Sequence, residues 1–242
     1  MTRAKAIQFI QKHGVLLVFP IQNQKLPASL WSSFYPRTPM RWEWDDSGDN
    51  RVAELWHLRE ELSRSGKVVY AKWYKNRATV FSPECFRWFR SVLHAQPGFN
   101  GLSTVAQKLF SVIADNSPIS TKEIKKTAKE QFGLASPTVE KAYPELWRRL
   151  LITGYGEVDD GAFPSLAVGA ADRLFEQWTE SADAASPDAS RRALEKKLGA
   201  DNLFVKELAR VVQRLDASPL IKQTVKKTGK AKALTYEDLV GR

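Results

Sequence analysis

Two glutamines near the start of the chain, Gln22 and Gln24, are of a residue type that can orient a water molecule. A side-chain amide both donates and accepts hydrogen bonds, so a pair of amides could hold and direct one water. In an extended segment, residues two apart point to the same side, because side chains alternate along a strand. Taken alone, the spacing favours two polar loop residues, and the catalytic interpretation stays open beside that one.

A second group of candidate residues lies between positions 120 and 150, where basic and hydroxyl side chains recur. Lysine and arginine neutralise phosphates, and hydroxyls and helix-end amides donate hydrogen bonds to them. The candidates for DNA contact are Lys122, Lys125, Lys126, Lys129, Ser136, Thr138, Lys141, Arg148 and Arg149. The turn that begins at Ser136 contains no Arg, Asn or Gln, which read base edges in pairs of hydrogen bonds. The pattern therefore predicts binding mainly through phosphates.

The sequence pattern of residues 102–168, which includes most of these candidates, predicts a winged helix-turn-helix. An apolar face from Leu102 to Ile113 predicts its first helix. Ser120 and Glu123 have the spacing of a capping box that starts the second helix, and Gly133 ends it. This arrangement places the lysines of the second helix beside the helix that follows.

The third helix is expected to begin at Ser136, as its cap, with Pro137 in the first turn. Its N-terminal residues are those that enter the major groove in this motif. Pro144 removes a backbone hydrogen bond, so we expect a helix over 136–143 with a bent continuation. Strands over 151–158 and 162–168 then form a hairpin around a turn at 159–161.

The N-terminal half predicts helices and a hairpin beside an aromatic-rich segment, and these could form a second winged-helix-like unit. Lys75-Asn76 is the two-residue turn of the hairpin, because asparagine tolerates positive φ. In the helix over 51–65, Trp56 is expected to face inward. The predicted elements are helices at 2–13, 51–65 and 83–95, an apolar run at 15–19, and strands at 67–74 and 77–81. The aromatics of 31–44 could pack a core or stack on an unpaired base.

Charge favours an anionic partner. The 242 residues have a formal net charge of +10 and a pI near 9.7, which favours nucleic acid first. The excess lies in residues 1–95, in 116–150 and in the tail from 217, whereas 166–216 is nearly neutral. A basic protein without a specific partner fits the same composition.

Several classes of chemistry find no support. Cys85 is the single cysteine, so no disulfide forms within the chain, which fits a reducing cytosol. Three scattered histidines give no metal-ligand spacing, and no P-loop, dinucleotide-binding glycine pattern or Ser-His-Asp order occurs. No stretch of about 18 apolar residues is present. We therefore expect a cytoplasmic protein with no metal, no cofactor and no membrane association.

The residues from Lys12 to Leu17, then Gln22-Asn23-Gln24, Leu30-Trp31 and Arg37, resemble the opening of AlkZ/YcaQ-type DNA glycosylases. The stretch from Asp160 to Ala167, running on to Leu174-Phe175-Glu176, resembles the AlkZ-related branch, and the similarity spans roughly residues 7–180. The resemblance implies winged-helix units and excision of alkylated bases. It also implies that Gln22 and Gln24 are catalytic and position water, with no metal or cofactor. Asn23 departs from the usual apolar middle residue, and in a chain of this length a third winged-helix unit is expected to be missing.

Together these patterns predict an α+β fold of tandem winged helix-turn-helix modules followed by helices and a basic tail. The expected divisions are an N-terminal module at 1–97, a winged helix-turn-helix at 98–168, helices at 169–216 and a flexible tail at 217–242. The predicted function is repair-associated, glycosylase-like binding of double-stranded DNA, damaged or intact. The alternative is a winged-helix module for protein–protein contacts or transcription regulation without enzymatic activity.

Overall fold

A computed structural model describes residues 1–42, 49–95, 101–159 and 164–216. In these ranges the chain is a mixed fold of helices around one antiparallel sheet, which confirms the α+β class. The predicted basic tail at 217–242 and part of the predicted turn at 159–161 lie outside the described residues. So do Trp44 and the aspartates at 45 and 46.

The N-terminal half follows the predicted order, with one addition. Its elements are α1 (Arg3–His13), β1 (Val15–Leu17), α2 (Leu30–Phe34), α3 (Asn50–Arg64), β2 (Val69–Tyr74), β3 (Arg77–Phe81) and α4 (Pro83–Leu93). The hairpin turn is confirmed, since Lys75 and Asn76 both have positive φ, 49° and 60°. Helix α2 was not predicted, and a capping box between Ser29 and Ser32 starts it. Trp56 is 40% exposed, so its predicted inward position is wrong.

The C-terminal half contains the three helices and the hairpin predicted for 102–168. Its elements are α5 (Thr104–Asp115), β4 (Ile119–Ser120), α6 (Thr121–Phe132), α7 (Ser136–Arg148), β5 (Ile152–Val158), β6 (Ser165–Ala170), α8 (Ala171–Leu174), α9 (Glu176–Asp183), α10 (Pro187–Leu198) and α11 (Leu203–Asp216). The helix predicted from residue 169 starts only at Ala171, because β6 runs to Ala170. It divides at Phe175, which ends α8 and precedes α9.

Helix α7 differs from the sequence prediction at both ends. Its N-cap is Ala135, which offers no side-chain cap, so Ser136 is the first helical residue and not the cap. Pro144 does not end the helix, which continues to Arg148. The buried face of α7 consists of Val139, Ala142, Tyr143, Leu146 and Trp147. Packing of such a face supplies most of a helix's stability, and here it outweighs the hydrogen bond that proline removes.

One six-stranded sheet joins the two halves of the molecule. The strand order is β1-β3-β2-β5-β6-β4, and every pairing is antiparallel. The connection is β2 beside β5, with Tyr70 opposite Gly154. A Cβ at position 154 would collide with the Tyr70 ring, so glycine permits this approach. The sheet thus crosses the division expected between residues 97 and 98.

Each face of the sheet carries its own core, because side chains alternate along the strands. On one face Leu16, Tyr70 and Val80 pack with α1 and α3. On the other, Leu17, Trp73 and neighbours pack in a larger core with residues of α4, α5, α7 and α11. The second core also crosses residue 97, so α7 is supported by strands from both halves.

Candidate nucleic-acid interface

Helices α6 and α7 carry most of the predicted DNA contacts, and we call the exposed residues of these two helices the α6–α7 surface. Lys122, Lys126 and Lys129 are exposed on α6, and Ser136, Thr138 and Lys141 are exposed in the first half of α7. The Ser120 hydroxyl caps α6 by accepting the Glu123 N–H at 3.1 Å. Because α7 packs through its opposite face, its N-terminal half stays open to a partner.

Carboxylates neutralise part of the positive charge on this surface. Lys125, which is half-buried, forms an ion pair with Glu140 of α7. Lys126 lies 3.5 Å from Glu123, with both side chains exposed. Lys129 and Lys141 make no ion pair within the described ranges. These two lysines are therefore the cations of α6 and α7 most available to a phosphate.

The two arginines at the end of α7 lie away from this open surface. The backbone carbonyl of Arg148 accepts a hydrogen bond from the Trp73 indole at 3.1 Å, and its side chain is half-buried. Arg149 is 5% exposed, and burial lowers its pKa to about 10, against an opposing effect of Glu145. The chain reverses at this point, since Leu150 has a φ of 52°. Arg149 is therefore largely buried and is not part of the exposed surface of α6 and α7, although it lines a separate cleft with Arg148 and Arg214, and its contact with DNA stays a prediction.

A cleft of about 300 Å³ opens where the β2–β3 hairpin meets α6 and α7. We call it the interface cleft. Its lining residues are Lys72, Asn76, Thr121, Lys125, Glu140, Tyr143, Pro144, Trp147 and Leu166. Both halves of the molecule contribute to it, because the shared sheet holds β2 against α7.

The interface cleft contains polar groups in unusual surroundings. Tyr143 is 6% exposed, and its hydroxyl has no hydrogen-bond partner among the residues that the structure describes. Burial and the nearby Glu140 carboxylate raise its pKa, so the hydroxyl keeps its proton and remains a donor. Lys72 has a lowered pKa, because surrounding protein displaces water and Arg59 lies near, while Glu140 opposes the shift.

Sequence reasoning missed Lys72, Asn76 and Tyr143 as candidates. Their proximity depends on the pairing of β2 with β5, which no local pattern indicates. One signal was available, since Lys72 is the single exposed residue of the otherwise buried strand Val69–Tyr74. A lysine that interrupts an apolar strand marks a place where the sheet meets solvent.

Gln22 and Gln24 lie on a tight turn and not in an extended segment, which agrees with the interpretation of them as polar loop residues. Gln22 and Asn23 have φ values of 48° and 56°. The Gln24 N–H donates to the Ile21 carbonyl at 2.8 Å, which closes the turn. Asparagine adopts this left-handed backbone more readily than an apolar residue does, which gives a physical reason for Asn23 in the middle position.

The side chain of Asn23 fastens this turn to the segment around Met40. Its amide donates to the Met40 carbonyl at 2.9 Å, and its oxygen accepts the Met40 N–H at 2.7 Å. Both glutamines remain exposed. A nearby cleft of about 340 Å³ includes Leu26, Pro27 and Phe204 in its lining, but neither glutamine.

The N-terminal aromatics divide between the core and the surface. Trp31 is 1% exposed, and its indole donates to the Thr38 carbonyl at 2.8 Å, so it belongs to the core. Trp42 and Trp56 are 49% and 40% exposed. Their ring centroids lie 4.8 Å and 6.4 Å from that of Phe19. Trp31 therefore fits the core-packing interpretation of the aromatics, whereas Trp42 and Trp56 have the exposure that stacking on an unpaired base requires.

Three further features bear on the classes of chemistry considered. Within the described ranges, His, Cys, Asp and Glu side chains form no group suited to a metal ion. Cys85 is buried, and burial raises its pKa to about 11, so it is a core thiol. Among the described helices, none combines the length and the apolar composition needed to cross a bilayer.

A family model described as AlkZ-related matches residues 1–213, which include both the glutamine turn and all of the α6–α7 surface. No curated protein matches the chain, and no solved structure does.

Proposed function

The chain belongs to the AlkZ-related family, and on that premise we propose that it is a repair-associated, glycosylase-like protein that binds duplex DNA mainly through phosphates. The observation that carries the proposal is the exposed first half of α7 beside the lysines of α6. Hydroxyls and ammonium groups are the usual phosphate contacts of DNA-binding proteins.

The order of elements supports a role for α7 in a DNA groove. A helix, a short strand, two helices and a hairpin follow one another in α5, β4, α6, α7, β5 and β6. In a winged helix-turn-helix, the helix in the position of α7 is the one that enters the major groove. Ser136, Thr138 and Lys141 are then the residues nearest the DNA, and Lys122 and Lys129 flank them on α6.

The test is the salt dependence of affinity for a short duplex of undamaged DNA, measured by fluorescence anisotropy between about 50 and 200 mM salt. Each phosphate contact is expected to contribute about −0.9 to the slope of log affinity against log salt. Lys196→Met is the control for the loss of one positive charge outside the proposed interface, because Lys196 is an exposed lysine on α10. A slope near zero for the unaltered protein would contradict phosphate-dominated binding.

A second proposed activity is release of an alkylated base by Gln22 and Gln24. The observation that favours it is the attachment of the turn, since two hydrogen bonds between Asn23 and Met40 fix the backbone that carries the exposed glutamines. A positioned amide pair could direct water at the sugar of a damaged nucleotide. The test is release of free base from an alkylated duplex, without added metal.

The competing function is a module that docks a protein through α7 and the β5–β6 hairpin. Under that alternative, Lys129→Ala and Lys141→Ala leave duplex affinity and its salt slope unchanged, while substitutions at Thr138 remove a protein partner. Lys125 and Lys126 are less suited to this test, because each already lies beside a carboxylate.

A further inference from the structure

We propose that the interface cleft holds one phosphate group of the DNA backbone, so that the β2–β3 hairpin and the α6–α7 surface grip the same strand. This inference rests on the proposed function and adds a binding site to it. The site lies between two halves of the chain, and Lys72 and Tyr143 are its additional ligands.

The strongest indication is the unpaired hydroxyl of Tyr143. A buried donor without a partner is costly, and native structures satisfy nearly all such groups. Tyr143 lines the interface cleft and keeps its proton, so its hydroxyl calls for an acceptor. Phosphate oxygens are strong acceptors, and because the hydroxyl has almost no accessible surface, a phosphate in the cleft reaches it only when the tyrosine ring or a neighbouring lining side chain moves aside.

The cations and the helix end around the cleft match a phosphate as well. Lys72 approaches from β2 and Lys125 from α6. Thr121, the first residue of the twelve-residue helix α6, brings a hydroxyl and the positive end of the helix to the cleft. Lys72 also has a lowered pKa, because surrounding protein displaces water from its ammonium group and Arg59 lies near, while Glu140 partly offsets the shift.

Among the described lining residues, Glu140 is the one carboxylate. It balances part of the positive charge of the cleft when no ligand is bound. It forms an ion pair with Lys125 and also acts electrostatically on Lys72, so the two lysines of the cleft share one carboxylate. An incoming phosphate competes with Glu140 for Lys125. Removal of the Glu140 charge should therefore strengthen binding, an effect that damage to the fold does not imitate.

The experiment compares affinities of three cleft variants for the same short duplex, after circular dichroism has shown that each is folded. Tyr143→Phe is expected to bind about tenfold more weakly, the usual effect of losing a hydrogen bond to a charged group. Lys72→Met should also bind more weakly and lower the magnitude of the salt slope by about 0.9. Glu140→Gln should bind severalfold more tightly, roughly the reverse of losing one charged contact.

Matched controls separate the cleft from general charge effects. Glu130→Gln removes an exposed carboxylate of α6 outside the cleft, and Lys196→Met removes an exposed lysine of α10. Both controls are expected to change affinity much less than their cleft counterparts. If Glu130→Gln tightens binding as much as Glu140→Gln, the site assignment is wrong.

A second arm distinguishes a backbone phosphate from a free one. Millimolar inorganic phosphate is added to the unaltered protein and to Tyr143→Phe, and the melting temperature of each is recorded. Phosphate that stabilises only the unaltered protein, while all three cleft variants bind duplex equally, would overturn the assignment to DNA. Equal duplex affinity in all variants without any phosphate effect overturns the site itself. An unaltered protein that binds no duplex refutes the proposed function, and this inference fails with it.

Discussion

The glutamine turn and the interface cleft are candidate sites of opposite construction. The turn is local and exposed, with Asn23 bonded to the backbone of Met40 while the glutamines reach into solvent. The cleft joins distant segments and buries a hydroxyl without a partner. Resemblance to a family points to the first site, and geometry points to the second. The contrast indicates that a catalytic site and a DNA-binding site can lie in different parts of one chain.

The largest expected effect comes from the turn. Gln22→Ala and Gln24→Ala should each lower the rate of base release from alkylated duplex about 100-fold or more, if an oriented water is the nucleophile. Their affinity for undamaged duplex should stay within about twofold, because the proposed phosphate contacts do not include the glutamine turn. Single-turnover release assays and anisotropy measure the two quantities. Release that persists unchanged in both variants removes the glutamines from any catalytic role.

Asn23→Gly tests whether the fastening of the turn matters. Glycine accepts the positive φ of position 23 but loses both hydrogen bonds to Met40. The free energy of unfolding should fall by about 1–2 kcal/mol, as measured by denaturant titration. Base release should also fall, while duplex affinity stays unchanged. A variant as stable as the unaltered protein would show that the two hydrogen bonds between Asn23 and Met40 contribute nothing to the free energy of unfolding.

Tyr143→Phe should move stability in the opposite direction. Removing an unpaired buried hydroxyl stabilises the protein by about 1 kcal/mol, because its desolvation is no longer uncompensated. The denaturant midpoint should rise with an unchanged m-value. A gain in stability together with a loss of duplex affinity is the signature of a binding group. A loss of stability would mean that the hydroxyl has a partner in the folded protein.

The smallest expected effect on the fold belongs to the exposed lysines. Lys129→Ala and Lys141→Ala should leave the free energy of unfolding within about 0.5 kcal/mol, since both side chains are exposed and unpaired within the described ranges. Each should reduce the magnitude of the salt slope by about 0.9. Base release at saturating protein should not change. A large loss of base release at saturating protein would mean that the glutamine turn and the α6–α7 surface belong to one site.

Local signals accounted for much of the secondary structure. The turn at Lys75 and Asn76 and the serine that caps α6 are visible in the sequence, because caps and tight turns depend on a few adjacent residues. The extent of α7 was not, because Pro144 lowers helix propensity while burial of Leu146 and Trp147 restores it.

The candidate sites were predicted less completely, for reasons of distance along the chain. The lysines of α6 could be placed on a helix surface, but the burial of Arg149 depends on where the chain reverses. Tyr143 looks like any aromatic residue of an apolar helix face. Only the pairing of Tyr70 with Gly154 brings β2 beside α7, and that pairing spans more than 80 residues.

The contact between β2 and β5 also bears on how this chain can be divided. A cut between α4 and α5 would leave each piece with a bare strand edge, β2 in one and β5 in the other. Unpaired edges of apolar strands recruit other chains. Separate expression of either piece should yield aggregates, whereas co-expression should let the complementary edges reunite. Recovery of folded protein on co-expression would therefore report that β2 and β5 have paired.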